Sequence, residues 1–392
     1  MGRVATLCVV AAVCVPSPAP SQAAGAHVPY DFVGIVADNT SVDPFRISSQ
    51  LDDMVHQGVG SVRFQIDWSA IQPYKKWKQV PSQDKSLYTD EGGVPTKYPN
   101  PDRVIGALAE RHITALPIVL NAPKWDRAKP SYKGQIFAHV PKKFGAYTRF
   151  LKALVHRYGH GGTFWDEHPE IEPRPLKQIQ PWNEPNIRPF WNIKPWDRKF
   201  VSLARASYKA IKQTDPSVKV VFAGLSRDAW NALDVLYHAG ARGSFDVAAV
   251  HPFTKKVSGL VTILKRVRDV MKRNHDGGKK MDVTELTWPS AKGKTSIGQD
   301  ISVTPKQQAK NLSAAFKLLA SKRKSLKLSE VYWFTWLTFD KSHDNHFDYS
   351  GVVTLKKHGK IVKKPAHDAL GKTALGLEGC KAKSDVADAC AP

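Results

Sequence analysis

Residues 113–182 carry ITALPIVL (113–120), a loop over 121–141, GAYTRFLKALVHRY (145–158) and then LKQIQPW (176–182). The first and last runs are short, with β-branched or aromatic residues, and read as buried strands. Between them, Tyr147, Phe150, Leu151, Leu154, Val155 and Tyr158 fall at i, i+3, i+4, i+7, i+8 and i+11, which is one apolar face of a helix. A strand, a one-faced helix and a second strand make the repeating unit of a parallel sheet.

The unit recurs outward in both directions. Strand-like runs occupy residues 32–36 (FVGIV) and 61–67 (SVRFQID) on one side. On the other they occupy 218–223, 245–250, 281–284 and 329–336. Helical patterns lie near 45–55, 102–111, 200–213, 229–238, 257–271, 306–320 and 364–375. Eight strands alternating with eight helices predict an α/β (β/α)8 TIM barrel. A doubly wound open sheet is the rival, but no Gly-x-Gly-x-x-Gly follows the first run, which counts against its dinucleotide-binding version.

Long insertions follow strands, at 71–101, 121–141, 186–196 and 339–363, so the barrel has enlarged βα loops on its C-terminal face. They hold Tyr74, Trp77, Tyr88, Tyr98, Trp125, Tyr132, Phe190, Trp191 and Trp196. Half of these rings are expected at the mouth and half as pins of their own loops.

Composition excludes some classes outright. With 42% hydrophobic and 24% charged residues, the chain is neither a long disordered segment nor collagen-like. Eleven Trp among 392 residues suggest flat binding surfaces. The charge is +23, from 58 Lys+Arg and 35 Asp+Glu. Residues 252–392 contribute 27 Lys+Arg against 13 Asp+Glu, so +14 of it lies there. A solvated basic face is the preferred reading of that excess, and a polyanion partner is the other.

The N-terminus reads as a secretory signal peptide over residues 1–26. Arg3 precedes an apolar run at 5–15, and small residues allow cleavage after Ala23 or Ala26. A secreted, extracellular protein with no transmembrane segment is therefore expected. Cleavage removes Cys8 and Cys14. The remaining Cys380 and Cys390 are expected to pair in a C-terminal tail over 379–392, leaving 27–378 as the barrel domain.

Two motifs carry chemistry. Trp182-Asn183-Glu184-Pro185-Asn186 ends the fourth strand, where aromatic surroundings can raise a carboxyl pKa and make it a proton donor. Thr284-Glu285-Leu286-Thr287-Trp288 ends the seventh strand. Carboxylates at these two strand ends can meet across the barrel mouth, and paired carboxylates are the machinery of glycoside hydrolysis.

On these motifs the sequence resembles the clan of retaining (β/α)8-barrel glycoside hydrolases, with family 39 or family 5 (β-xylosidase-like or cellulase-like) as the nearest. The resemblance covers roughly residues 30–375, by strand order. It implies that Glu184 is the acid/base and Glu285 the nucleophile, their carboxyls ~5–5.5 Å apart. It implies that Asn183 binds a sugar 2-hydroxyl, that Arg63 holds the nucleophile ionised and that His251 lines the reactive subsite.

Trp333 or Trp336, with Trp336 preferred, would be the stacking floor. Trp182, Trp288 and Asn121 complete the expected substrate-binding set. The sequence departs from the pattern at Phe253, where relatives often carry a tyrosine.

A poly- or oligosaccharide substrate is implied, weakly hinted to be anionic. No cofactor or metal is needed, and His343, His346, Asp344 and Asp348 read as a solvated loop rather than a metal site. No nucleic-acid motif is present. A carbohydrate- or polyanion-binding barrel without catalysis is the alternative.

Overall fold

The computed structural model describes residue 2, residues 27–37 and residues 47–392. The expected signal peptide lies outside the described residues, as do Cys8 and Cys14. Among the described residues no helix is long and apolar enough to cross a membrane.

Eight parallel strands form the barrel: β1 (Val33–Val36), β2 (Ser61–Asp67), β3 (Thr114–Leu120), β4 (Gln178–Pro181), β5 (Lys219–Val220), β6 (Val247–Val250), β7 (Lys280–Leu286) and β8 (Leu328–Trp333). Their hydrogen-bonded order is β5-β4-β3-β2-β1-β8-β7-β6. Parallel bridges Val221↔Val247 and Leu225↔Val250 join the two outermost strands. One long helix follows each strand: α1 (Ile47–His56), α2 (Pro99–Glu110), α3 (Phe144–Tyr158), α4 (Trp196–Thr214), α5 (Ala229–His238), α6 (Gly259–Arg273), α7 (Pro305–Leu326) and α8 (Pro365–Glu378). This is the α/β TIM barrel that the alternating periodicities predict.

Strand alternation sorts the core into two layers. Val36, Leu116, Val221, Val247, Ala249 and Tyr332 meet inside the barrel. Ile35, Val62, Val119, Ile179, Val283 and Val331 belong to the larger layer under the helices. Gly34 is required on β1, because a Cβ there would lie 2.5 Å from the Tyr332 ring and from Ser61 Oγ.

The loops are more ordered than their composition suggests. The insertion after β2 contains a hairpin, Thr89–Glu91 with Val94–Thr96. The one after β8 joins Leu337–Thr338, Val353–Leu355 and Ile361–Lys363 in a three-stranded sheet. Thr304 caps α7 by accepting from the Gln307 N–H, and Pro305 opens that helix. Gly379 ends α8 at φ 88°, a left-handed C-cap.

Beyond it, Cys380 and Cys390 form a disulfide, Cα atoms 5.5 Å apart. Asp388 reaches Arg174 (3.0 Å) and His112 (2.8 Å), and the Ala387 N–H donates to the Arg111 carbonyl. Those partners precede β3 and β4, so the tail is fastened to the N-terminal face of the barrel.

Near that end the interior holds buried carboxyls. Glu330 accepts twice from Gln178 Nε2 and once from the Tyr332 hydroxyl. Asp282 Oδ1 accepts from the Glu330 N–H at 3.1 Å, while Oδ2 has no partner among the described residues. Burial holds both carboxyls well above the usual carboxylate range, and the Asp282 and Asp31 charges push Glu330 up further.

A raised folded-state pKa gives stability that is complete below the unfolded pKa and declines as pH rises towards the folded one. Glu330→Gln is therefore expected to raise the melting temperature at pH 8, by about 1–2 kcal/mol of stability, with little change at pH 4. Melting curves of both proteins at the two pH values check this.

Candidate active site

The site is built around Arg63, which enters from β2 and is 2% exposed. A guanidinium buried there requires acceptors. Its Nη1 donates to Glu285 Oε1 (2.8 Å), Nη2 to Asn183 Oδ1 (2.9 Å) and Nε to Gln180 Oε1 (3.0 Å). One cation thus ties the ends of β4 and β7 together. Gln180 Nε2 in turn donates to the Trp182 carbonyl, fixing the bend that leads to Glu184.

That bend is strained. Trp182 has φ 85° and Glu184 φ 40°, a region that side chains rarely occupy. The Glu184 N–H donates to the Gly224 carbonyl at 3.0 Å, and the Trp182 N–H to the Val119 carbonyl. Gly224 has a second duty, since a Cβ there would lie 2.0 Å from His251 Nε2. The glycine is what admits the imidazole.

His251, fully buried at the end of β6, stands between the two acids. Its Nδ1 is 2.8 Å from Glu184 Oε1 and 3.6 Å from Glu285 Oε2, and its Nε2 is 3.0 Å from Thr284 Oγ1. Glu184, His251 and Glu285 each offer an atom within 4.8 Å of the other two. The Thr284 hydroxyl can donate or accept, so the imidazole can take either tautomer as Glu184 gains or loses its proton.

Burial pushes the Glu184 carboxyl up to about 7, against the pull of the Arg63 and Arg227 cations. Burial also raises the Glu285 carboxyl, and the Glu184 charge adds to this, while His251 and Arg63 draw it back. Burial lowers His251 to about 4, aided by the Arg63 charge and opposed by Glu285, so the imidazole is neutral at pH 7. The proton shared by the acids therefore sits best on Glu184, and the guanidinium-bound Glu285 is the better anion.

Of the residues named from the sequence, Glu184, Glu285, Asn183, Arg63 and His251 converge. Four others do not. Trp182 is fully buried, its indole N–H bound to the Phe190 carbonyl and its ring packed on Tyr147 and Trp191. The positive φ turns it out of the barrel. Trp288 donates to the Lys255 carbonyl (3.2 Å) and packs on Trp333. Trp336, the preferred stacking floor, donates to Gln50 of α1 (2.7 Å) and lies on His367 of α8. Trp333 donates to the Ser350 carbonyl.

On β8 the inward residues are Glu330 and Tyr332, so Trp333 faces the helices by alternation. The Asn121 amide is used at both ends: its NH2 donates to Asp67 and Ser69, and its oxygen accepts from the His139 N–H. It fastens loops rather than facing a ligand.

The inward alternation continues to Phe334, which packs on the inner cluster and remains partly exposed. Phe347 sits edge-on to it at 5.8 Å, and Phe253 lies 5.3 Å beyond Phe347. Phe334, Gln180 and Thr284 lie in the quoted runs but are not singled out as site residues by the sequence. Counting inward positions from Glu330, a carboxyl that must face either the interior or solvent, would have found Phe334.

The flat-surface inference from eleven tryptophans also fails in the main. Trp68, Trp182, Trp191, Trp288, Trp333 and Trp336 are all below 2% exposed. Tyr98 and Trp191 from the enlarged loops are buried too, whereas Tyr132 and Phe190 remain partly open.

The two acids and His251 are close enough to share a divalent cation. The Arg63 guanidinium already supplies the positive charge against Glu285, and a second cation would meet it at short range. In the loop after β8, Asp348 accepts from the backbone N–H groups of Phe339, Lys341 and Ser342 and so holds that loop's backbone together.

No protein-family model matches the chain, and no curated protein matches its sequence. Solved structures match its fold. A family 39 glycoside hydrolase from Bacteroides cellulosilyticus superposes with TM-score 0.62 at 16% identity, over 91% of this chain and 66% of that one. A monomeric β-xylosidase from Caulobacter crescentus gives 0.61 and 18%, over 88% and 68%. The family 53 catalytic domain from Ignisphaera aggregans gives 0.54 and 18%, over 92% and 99%. The fold is that of these glycoside hydrolase barrels. The chain spans about two thirds of the length of the family 39 structures.

Proposed function

We propose that the protein is an exported retaining glycoside hydrolase that cleaves O-glycosidic bonds of a poly- or oligosaccharide. The observation that carries this is the approach of Glu184 and Glu285 to within 4.8 Å at the ends of β4 and β7. Retention calls for carboxyls ~5–5.5 Å apart, whereas inversion needs ~6.5–9.5 Å for an intervening water.

In the first step a Glu285 oxygen attacks the anomeric carbon as the bond to the leaving oxygen breaks. Glu184 delivers its proton to that oxygen. In the second, Glu184, now a carboxylate, takes a proton from water. The water oxygen forms the new bond to the anomeric carbon and Glu285 departs, ionised as at the start. Arg63 holds Glu285 in place by its hydrogen bond, and Asn183, whose oxygen is bound by Arg63, keeps its NH2 for a sugar hydroxyl. Phe334 takes the role of stacking floor that the sequence had suggested for Trp336.

Export is supported by the Cys380–Cys390 disulfide, which suits an oxidising compartment. A barrel that only binds sugar has less support, because it gives no reason for a strained Glu184 held near neutral pKa against a second acid.

The test is a polysaccharide panel with the product anomer followed by proton NMR. Initial release of the same anomeric configuration as the substrate is expected. Initial release of the opposite anomer, or binding without any new reducing ends, would overturn the reading.

A further inference from the structure

We propose that the substrate is an anionic glycan, held through its carboxylate or sulfate groups by a lysine-lined groove in the loops that follow His251 and Glu285; this rests on the glycosidase reading. The groove, of about 610 Å³, is formed by the loop after β6, the loop after β7 and the first turns of α7. Lys255 and Lys256 come from the first loop, and Lys292 from the second. Both loops grow directly from the site: Lys255 is four residues past His251, and Lys292 seven past Glu285. The Trp288 indole clamps one loop to the other by donating to the Lys255 carbonyl. Exposed Lys306 and Lys310, one turn apart on α7, each stand next to a residue that lines the groove, Gln307 and Asn311.

None of these five ammonium groups has a carboxylate partner among the described residues, and Asp300 is the one acid among those lining the groove. With 58 Lys+Arg against 35 Asp+Glu many surface cations go unpaired; what sets Lys255, Lys256 and Lys292 apart is that two separate loops bring them into one concavity. Like charges brought into a concavity from separate loops repel, and the concavity focuses their field on whatever enters it. A solvated surface has no reason to gather them. A chain of uronate or sulfate groups does, because its acid groups recur along the polymer and can be met by Lys255, Lys256, Lys292, Lys306 and Lys310 in turn.

The experiment measures binding in the full chain carrying Glu285→Gln, by calorimetry, to a polyuronate, a sulfated galactan, neutral xylan and duplex DNA. Binding to at least one acidic glycan, tighter than to xylan and weakened by salt, is expected. Preference between the first two identifies carboxylate or sulfate as the group held. Adding Lys255→Ala, Lys256→Ala and Lys292→Ala should weaken acidic-glycan binding by about tenfold or more, and arginine at all three positions should restore it.

Melting curves of each variant report whether it is folded. Should the alanine variant not fold, a single charge reversal at the exposed Lys256, Lys256→Glu, replaces it. Equal binding of xylan, equal or tighter binding of DNA, or unchanged affinity in the folded variants would overturn the proposal. Because the readout is binding, it stands apart from turnover. Tight acidic-glycan binding by a wild-type chain that releases no sugar would sink the glycosidase reading and leave the groove intact.

Discussion

Glu285→Gln is expected to lower kcat by at least about 10⁴-fold, with the fold and the affinity for glycan retained. The amide keeps the shape of the side chain and can still accept from Arg63 Nη1, the contact made at 2.8 Å in the parent. It cannot form a stable bond to the anomeric carbon. Glu285→Ala goes further by opening a space beside that carbon. Added azide should enter it and restore part of the turnover, and the product should be the glycosyl azide of configuration opposite to the substrate. A single displacement inverts, whereas the two displacements of the parent retain. Wild-type-like turnover of Glu285→Gln, or a retained azide product from Glu285→Ala, would remove the nucleophile from this position.

The acid/base residue has a different signature. Glu184 must be protonated in the first step, and burial places its pKa at about 7. The working form carries one proton on Glu184 and none on Glu285. The kcat/KM profile should therefore fall above about pH 7 as Glu184 ionises, and fall again on the acid side as Glu285 takes a proton.

Glu184→Ala should remove the alkaline limb. For glycosides with poor leaving groups, kcat/KM should fall by about 10²–10⁴-fold. For a dinitrophenyl glycoside, which leaves unaided, kcat/KM should hold while kcat drops, because water then lacks its base in the second step. An alkaline limb that persists in Glu184→Ala would assign the titration to another group.

The barrel was legible because two periodicities alternate. A period of 3.6 at Tyr147–Tyr158 flanked by short β-rich runs leaves few other packings. That Glu184 and Glu285 meet was legible because each follows such a run, at the ends of strands four and seven. The tryptophans were not, and the reason is geometric. A strand-end aromatic can face either layer, and a single residue at positive φ exchanges the two. Trp182 at φ 85° is such a residue. For Trp336 the chain has left β8, whose inward alternation extends only one residue beyond Trp333, to Phe334, so counting by twos no longer applies. Nor can local sequence bring Gly224 beneath His251, or carry Arg63 of β2 to Glu285 of β7, 222 residues away. Those contacts exist only once the strands close on themselves.

The fastening of the C-terminal tail has a practical side. Asp388 is anchored by Arg174 and His112 on the face of the barrel away from Glu184 and Glu285. A bead or electrode coupled to the tail at exposed Lys381 would thus hold the molecule by its floor and present the acids outward, so an immobilised preparation should still admit long polymers.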